Sequence, residues 1–283
     1  YVLLATVCDV MPLRKLNKIL ASNILRNFKL ENNLALKTIF DELSLKKKLT
    51  VEDLGFLIGP IINSGGRLGF SNYGTELLTS DNKNTLQKKT SKLINLNNKR
   101  KKLEKNILND INFAKISKEN KSVIIYHNNN MHEGLIGIIA ARLKEYFNKP
   151  SIVLTKSNDI LKASARSTKN YNIGKITKIL IDKNIIEKGG GHNMAAGFSI
   201  KEDNINLLED FIQKDYLINN KNFELIFKYD SEISASAISK DLYNEINKLG
   251  PFGNDNELPI FLIKNVKIIR SSLIGNNHIN SII

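Results

Sequence analysis

The spacing of apolar residues changes several times along the chain, and each change predicts an element. Tyr1–Val10 is a nearly unbroken apolar, β-branched run, which predicts a buried strand delivering Asp9 to the edge of a sheet. From Leu13 to Phe28 the apolar positions Leu13, Leu16, Ile19, Leu20, Ile24 and Phe28 follow a helical period. A second helix is predicted over Leu34–Leu43. Thr50 and Asp53 form a capping-box pattern that opens a short helix through Ile58. The next stretch, Gly59–Gly69 (GPIINSGGRLG), carries Pro60 and so much glycine that no regular helix is expected there. Between Asn84 and Ile116, Leu86, Leu93, Ile107 and Ala114 recur in steps of seven or its double, joined by Leu96 and Leu103. That pattern predicts one long, otherwise polar connecting helix.

Beyond it the pattern alternates. Strands are predicted at Ser122–Tyr126, Ser151–Thr155, Ile160–Ser164 and Ala196–Ile200, with helices over Gly134–Phe147, Ile173–Asp182 and Ile205–Leu217. The triplet Gly189–Gly191 reads as a turn between a helix and a strand. This is the signature of a compact α/β domain. After Asn222, strands at Phe223–Tyr229, Pro259–Arg270 and His278–Ile283, with a helix over Ile238–Leu249 and a turn at Gly250–Asn256, suggest the start of a small β-barrel that the chain does not close.

Composition narrows the class. No apolar run reaches the roughly 18 residues that span a bilayer, so no membrane role is expected. A single Cys8 allows no internal disulfide, which suits a cytoplasmic protein. The formal net charge is +14, from 42 Lys and Arg against 28 Asp and Glu, and such a balance favours a polyanion as partner. Lys, Asn and Ile are heavy throughout, so the rarer arginines say more. The basic run Lys99–Lys102 reads as a solvated helix face. Because the chain opens on Tyr1 and an apolar run, it is read as a piece of a longer protein.

Five places carry candidate chemistry. In GGGHNMAAGF, the glycines Gly189, Gly190 and Gly191 leave backbone N–H groups open to a phosphate beside the His192 imidazole, or else they only make a turn. His132 stands before a helix start, where an anion is favoured, although a lone His there is more often a cap or surface residue. Arg67 can clamp a phosphate bidentately or pair with a carboxylate. Asp9 is a site carboxylate or a turn residue. Ser164 and Arg166 lie in the same 100-residue stretch as His132 and His192.

Read together, these segments resemble the RecJ-type exonucleases of the DHH phosphoesterase superfamily. The resemblance rests on ATVCDVMPL around Asp9, Gly59–Gly69, MHEGLIGIIAARL, ASARS, GGGHNMAAGF and LGPFGNDNELPIF. It implies the C-terminal part of a DHH domain over 1–82, a long connecting helix over 83–118, an α/β DHHA1 domain over 119–220 and the truncated start of an OB-fold over 221–283. The activity it implies is 5′ to 3′ hydrolysis of single-stranded DNA in repair and recombination at a two-metal site using Mn²⁺ or Mg²⁺, with Asp9 as one ligand.

The Asp-His-His motif that names the superfamily is not in this chain, so the isolated piece is expected to be inactive. Arg67, Ser164 and Arg166 would hold the 5′ phosphate, while His132, His192 and Gly189–Gly191 would line the facing wall. The OB-like part would track the strand. Phe252 and Phe261 are candidate stacking residues there, although core filling is the reading preferred. Family partners would include a single-strand-binding protein and a helicase. Ala163 and Ala165, where the family has glycine, are expected to narrow the approach to Ser164 and Arg166. Two other readings stay open: a DHH/DHHA1 phosphodiesterase of short RNA or cyclic dinucleotides, and a non-catalytic single-strand-binding relative.

Overall fold

A computed structural model of the chain describes residues 1–219, 227–275 and 278–283. It divides into two compact units. One comprises Tyr1–Asn32, Lys46–Gly59 and Leu225–Ile283, and the other Asn33–Leu45 and Pro60–Glu224.

The first unit opens with α1 (Val2–Cys8) and α2 (Lys15–Asn27). The strand expected at Tyr1–Val10 is therefore a helix. Its buried positions Leu3, Leu4 and Thr6 fall on one side of a helical turn, and packing overrides the β-branched preference. A wide, π-helical segment, Asp53–Ile58, lies against α1. Its Gly55 sits where an added Cβ would stand 3.4 Å from Val7, and at Gly59 the same atom would stand 2.6 Å from the Cys8 sulfur. Small residues four apart thus let the two backbones approach closely. The capping box forms as the sequence suggests: the Asp53 N–H donates to Thr50 Oγ1 at 3.1 Å and the Thr50 N–H donates to Asp53 Oδ2 at 3.0 Å.

The second unit begins with α3 (Leu34–Glu42) and continues through α4 (Gly59–Arg67), α5 (Asn72–Thr79), α6 (Lys83–Asp110) and α7 (Phe113–Glu119). Gly59–Arg67 is helical despite its glycines. Pro60 follows directly on the π-helical turn Asp53–Ile58, with which α4 is continuous, and Gly65 is needed because a Cβ there would meet the Phe70 carbonyl at 2.6 Å. The long connecting helix is present over Lys83–Asp110, but it stops at Ile111. There the Asn112 side chain accepts from the Lys115 N–H at 2.9 Å and starts α7 as a separate element.

A five-stranded sheet follows, built from β1 (Ile124–His127), β2 (Ser151–Ser157), β3 (Ile160–Arg166), β4 (Lys188–His192) and β5 (Ala195–Ile200) in the order β1-β2-β3-β5-β4. β1 and β2 are parallel and are joined through α8 (Glu133–Phe147), whereas the other pairs are antiparallel. β2 is an inner strand, buried on both faces over 151–155. α8 covers one face through Ile136, Ile139, Ala140 and Leu143. The opposite face packs on α9 (Ile173–Asp182) and α10 (Ile205–Asn219), with Ile152, Leu161, Phe198, Ile176, Leu180 and Leu208 in one core. Gly189–Gly191 is not a turn. It lies in strand β4, and the turn comes after it at Asn193 and Met194.

The first unit resumes with β6 (Ser231–Glu232), α11 (Lys240–Lys248), β7 (Phe261–Leu262), β8 (Arg270–Ile274) and β9 (His278–Ile282). β6 pairs with β7 and β8 with β9. Most of the strand expected at Phe223–Tyr229 lies outside the described residues, and Phe227–Tyr229 is not in a strand. Pro259–Arg270 forms only the two-residue β7 before β8 begins. The turn before it is pinned to the chain's start: the Leu13 N–H donates to the Asn254 carbonyl at 2.7 Å, and Asn254 Nδ2 donates to the Val10 carbonyl at 2.7 Å. No helix among the described residues is long and apolar enough to cross a membrane.

Candidate functional site

Strand β3 alternates strictly. Leu161, Ala163 and Ala165 turn into the core, while Lys162, Ser164 and Arg166 share the face that α8 partly covers. Ala163 and Ala165 therefore do not crowd Ser164 and Arg166, because their methyl groups lie on the other side of the sheet. Register carries the pattern across the uncovered strands. Arg166 pairs with Ala195 and Ala195 with His192; Ser164 pairs with Gly197 and Gly197 with Gly190; Lys162 pairs with Ser199 and Ser199 with Lys188.

The arginines meet at the start of α8. Arg166 donates through one terminal nitrogen to Ser164 Oγ at 3.2 Å and to the Ala165 carbonyl at 2.8 Å. Gly137 makes room for both, since a Cβ there would stand 3.1 Å from the other Arg166 nitrogen and 3.2 Å from Ser164 Oγ. Arg67, at the end of α4, donates to the Gly134 carbonyl at 3.2 Å. Burial holds the Arg166 guanidinium below the ordinary arginine value, and the Arg67 charge adds to the effect. Arg67 is lowered too, by burial first and then by Arg100, with Glu104 opposing. Glu104 is already committed: it accepts from Arg100 at 2.9 Å and from Arg142 at 2.8 Å. Among the described residues no ion pair involves Arg67 or Arg166. Two half-buried cations lie close together with no carboxylate of their own, an arrangement that favours an anion between them.

Both histidines are held by one ring nitrogen. His132 caps α8, its Nδ1 accepting from the Gly134 N–H at 3.1 Å. His192 Nδ1 accepts from the Met194 N–H at a longer 3.4 Å. In each neutral ring that leaves Nε2 as the proton carrier. The glycines of the triplet differ. Gly190 has nothing within 4 Å of an added Cβ, whereas Gly189 would meet Phe198 Cβ at 2.6 Å and Gly191 would meet Ala196 at 2.6 Å. An open groove of about 690 Å³ runs beside α8 over Gly190 and Gly197, flanked by Glu133, Gly134, Lys162 and Lys188.

Asp9 lies in the other unit, exposed at the C-terminal end of α1. Among the described residues no group of three or more His, Cys, Asp or Glu could hold a metal ion. One carboxylate does not fill a divalent coordination shell, so these residues do not by themselves fit a two-metal centre. The structure thus brings Arg67, His132, Ser164, Arg166, His192 and Gly190 into one unit and leaves Asp9 in the other. Sequence reasoning missed Gly134, Gly137, Lys162, Lys188 and Ser199. For Lys162 the signal was available, because ILKASAR alternates with period two through Arg166.

Comparison with known proteins defines the class first. Residues 120–216 match the DHHA1 domain and residues 229–283 the RecJ OB domain. Relatives named single-stranded-DNA-specific exonuclease RecJ align along nearly the whole chain. The Haemophilus influenzae protein is 28% identical over 98% of this chain and 50% of its own length; the Bacillus subtilis protein is 26% identical over 97% and 35%. The solved structure of Thermus thermophilus RecJ in complex with Mn²⁺ superposes with a TM-score of 0.80 at 21% identity, covering 92% of this chain and 39% of that one. A second, an exonuclease RecJ bound to manganese, gives 0.62 at 23% identity, covering 78% and 54%. The chain thus carries a DHHA1 domain followed by a RecJ-type OB domain, and along nearly its whole length it is similar to RecJ exonucleases. It spans half the length, or less, of these curated relatives.

Proposed function

We propose that this chain is the substrate-binding part of a RecJ-type 5′ to 3′ single-stranded-DNA exonuclease acting in DNA repair and recombination. The observation that carries this reading is the pair of desolvated, uncompensated guanidiniums of Arg67 and Arg166 beside Ser164. A terminal 5′ phosphate offers two charges and three acceptor oxygens, which suits two converging forks and a hydroxyl better than a single internal phosphate does. His132 Nε2 and His192 Nε2 supply further donors on the same side, and the backbone around Gly190 admits the strand. In the whole protein Asp9 contributes one carboxylate to a Mn²⁺ or Mg²⁺ centre whose other ligands lie outside this chain. The RecJ-type OB domain extends the contact along the single strand, with a single-strand-binding protein and a helicase as partners in the cell. The boundaries 1–82, 83–118, 119–220 and 221–283 are part of this proposal.

The test is equilibrium binding of short single strands with a 5′ phosphate or a 5′ hydroxyl. Wild type prefers the phosphorylated strand. Arg166→Ala weakens that strand by roughly tenfold to a hundredfold, the range of one charge-assisted contact, and levels the two ligands. Equal affinity of wild type and variant for the phosphorylated strand removes Arg166 from the site.

A further inference from the structure

The arginine cluster uses only one end of the exposed sheet face. At the other end, Lys162 and Lys188 stand on β3 and β4, two strands apart, with Ser199 of β5 between them in register. Lys162 Nζ donates to Ser199 Oγ at 3.2 Å, and no ion pair involves either lysine among the described residues. Between the two ends lies a strip with no side chains, Gly197 opposite Gly190. An added Cβ would meet nothing within 4 Å at Gly190 and only the Ala163 carbonyl, at 3.7 Å, at Gly197. The groove runs over this strip and touches both lysines. Its far wall carries Glu133, which accepts from the Ser157 hydroxyl at 3.0 Å. That carboxylate repels an anion from its own side and leaves the lysine side as the favourable one.

We infer that Lys162, Ser199 and Lys188 form a second phosphate subsite, which takes an internal phosphodiester of the same single strand whose 5′ end sits at Arg166. Lys162 and Arg166 are four positions apart on β3, about 13 Å at the rise of a strand, so the two sites cannot share one phosphate. The two lysines lie about 10 Å apart across three strands, close enough for both flexible stems to converge above Ser199. The chemistry differs in the way the two positions require. Planar forks hold a terminal phosphate in one orientation, while lysines hold a passing diester as point charges from any angle. The glycine floor lets the sugar–phosphate chain lie on the sheet between the sites. The subsite therefore makes affinity depend on strand length beyond the terminal nucleotide.

This inference rests on the polynucleotide reading above, and the experiment separates the two. Binding of thymidine 5′-monophosphate and of a short 5′-phosphorylated oligothymidylate is measured against salt for wild type, Arg166→Ala, Lys162→Gln with Lys188→Gln, and Gly190→Leu. The double lysine variant should lose about tenfold on the oligonucleotide and about 0.7 in the slope of log K against log salt, the share of one single-strand phosphate. It should bind the mononucleotide as wild type does. Gly190→Leu, which fills the groove from open space, should weaken only the oligonucleotide. Wild-type affinity and slope for the oligonucleotide in both the double lysine variant and Gly190→Leu, with Arg166→Ala still weakening both ligands, overturns the subsite and leaves the exonuclease reading standing. Unchanged oligonucleotide binding in Arg166→Ala overturns the parent reading and this inference with it.

Discussion

Three adjacent glycines look interchangeable in a sequence, and in this protein they are not. Gly189 and Gly191 face the core side of β4, where a methyl group would press on Phe198 and Ala196, while Gly190 faces the open groove. Gly189→Ala and Gly191→Ala should each destabilise the fold by about 1–3 kcal/mol, the usual cost of overpacking. Gly190→Ala should leave the melting temperature unchanged, and thermal melts of the three variants decide the matter. Loss of stability at Gly190 equal to that at its neighbours would mean that the strand register is wrong. The glycine-rich signal was legible in the sequence, but the division of labour was not, because it depends on which face of a strand each residue takes. The same geometry explains why Ala163 and Ala165 do not obstruct the site: both methyl groups are core.

Elements were legible where periodicity stood alone and illegible where packing decided. Ile173–Asp182 is recovered residue for residue, since its apolar positions and the Asn172 cap agree. Tyr1–Val10 was misread because a seven-residue apolar helix and a buried strand have the same composition; the deciding partners, Gly55 and Gly59, lie some 50 residues away. The Gly59–Arg67 helix was missed for a related reason, because Gly59 and Gly65 are demanded by their neighbours Cys8 and Phe70 rather than by a turn. The Thr50–Asp53 box shows the opposite case, a short-range pattern that survives. Asp53 is buried, which by itself raises its pKa, but hydrogen bonds from Lys47 and Thr50 outweigh that and hold the carboxyl below its usual value. A depressed carboxylate adds stability above its unfolded pKa and loses it as pH falls through the folded one. Asp53→Asn should therefore cost roughly 1–2 kcal/mol at neutral pH, with the gap to wild type closing in acid. Denaturant melts across that range test the sign. A gap that is constant with pH would show that the charge of Asp53 contributes nothing.

At the scale of the whole molecule, the residues proposed for binding and the residue proposed for metal chemistry fall in different units. The cations that favour an anion, Arg67 and Arg166, and the groove with Lys162 and Lys188 belong to the second unit; Asp9, the carboxylate assigned to a metal centre, belongs to the first. The net charge of +14 agrees with the polyanion proposed as partner, yet it does not locate a site, because a surplus of lysine spread over the chain carries no address. What marks the candidate site is the combination of buried arginines with the absence, among the described residues, of carboxylates paired to them, and neither of those is visible without coordinates. This separation predicts that the two functions can be removed one at a time. In the whole protein, Asp9→Ala should abolish Mn²⁺-dependent release of nucleotides from single-stranded DNA and leave binding of a 5′-phosphorylated strand within about twofold of wild type. Arg166→Ala should do the reverse in character, weakening binding while cleavage persists at saturating DNA. Asp9 is exposed and at a helix end, so its replacement removes no core contact, and lost cleavage cannot be put down to unfolding. If Asp9→Ala cleaves as wild type does, the metal centre excludes this residue. If it loses strand binding as well, the carboxylate acts through the substrate site, and the division between the units fails.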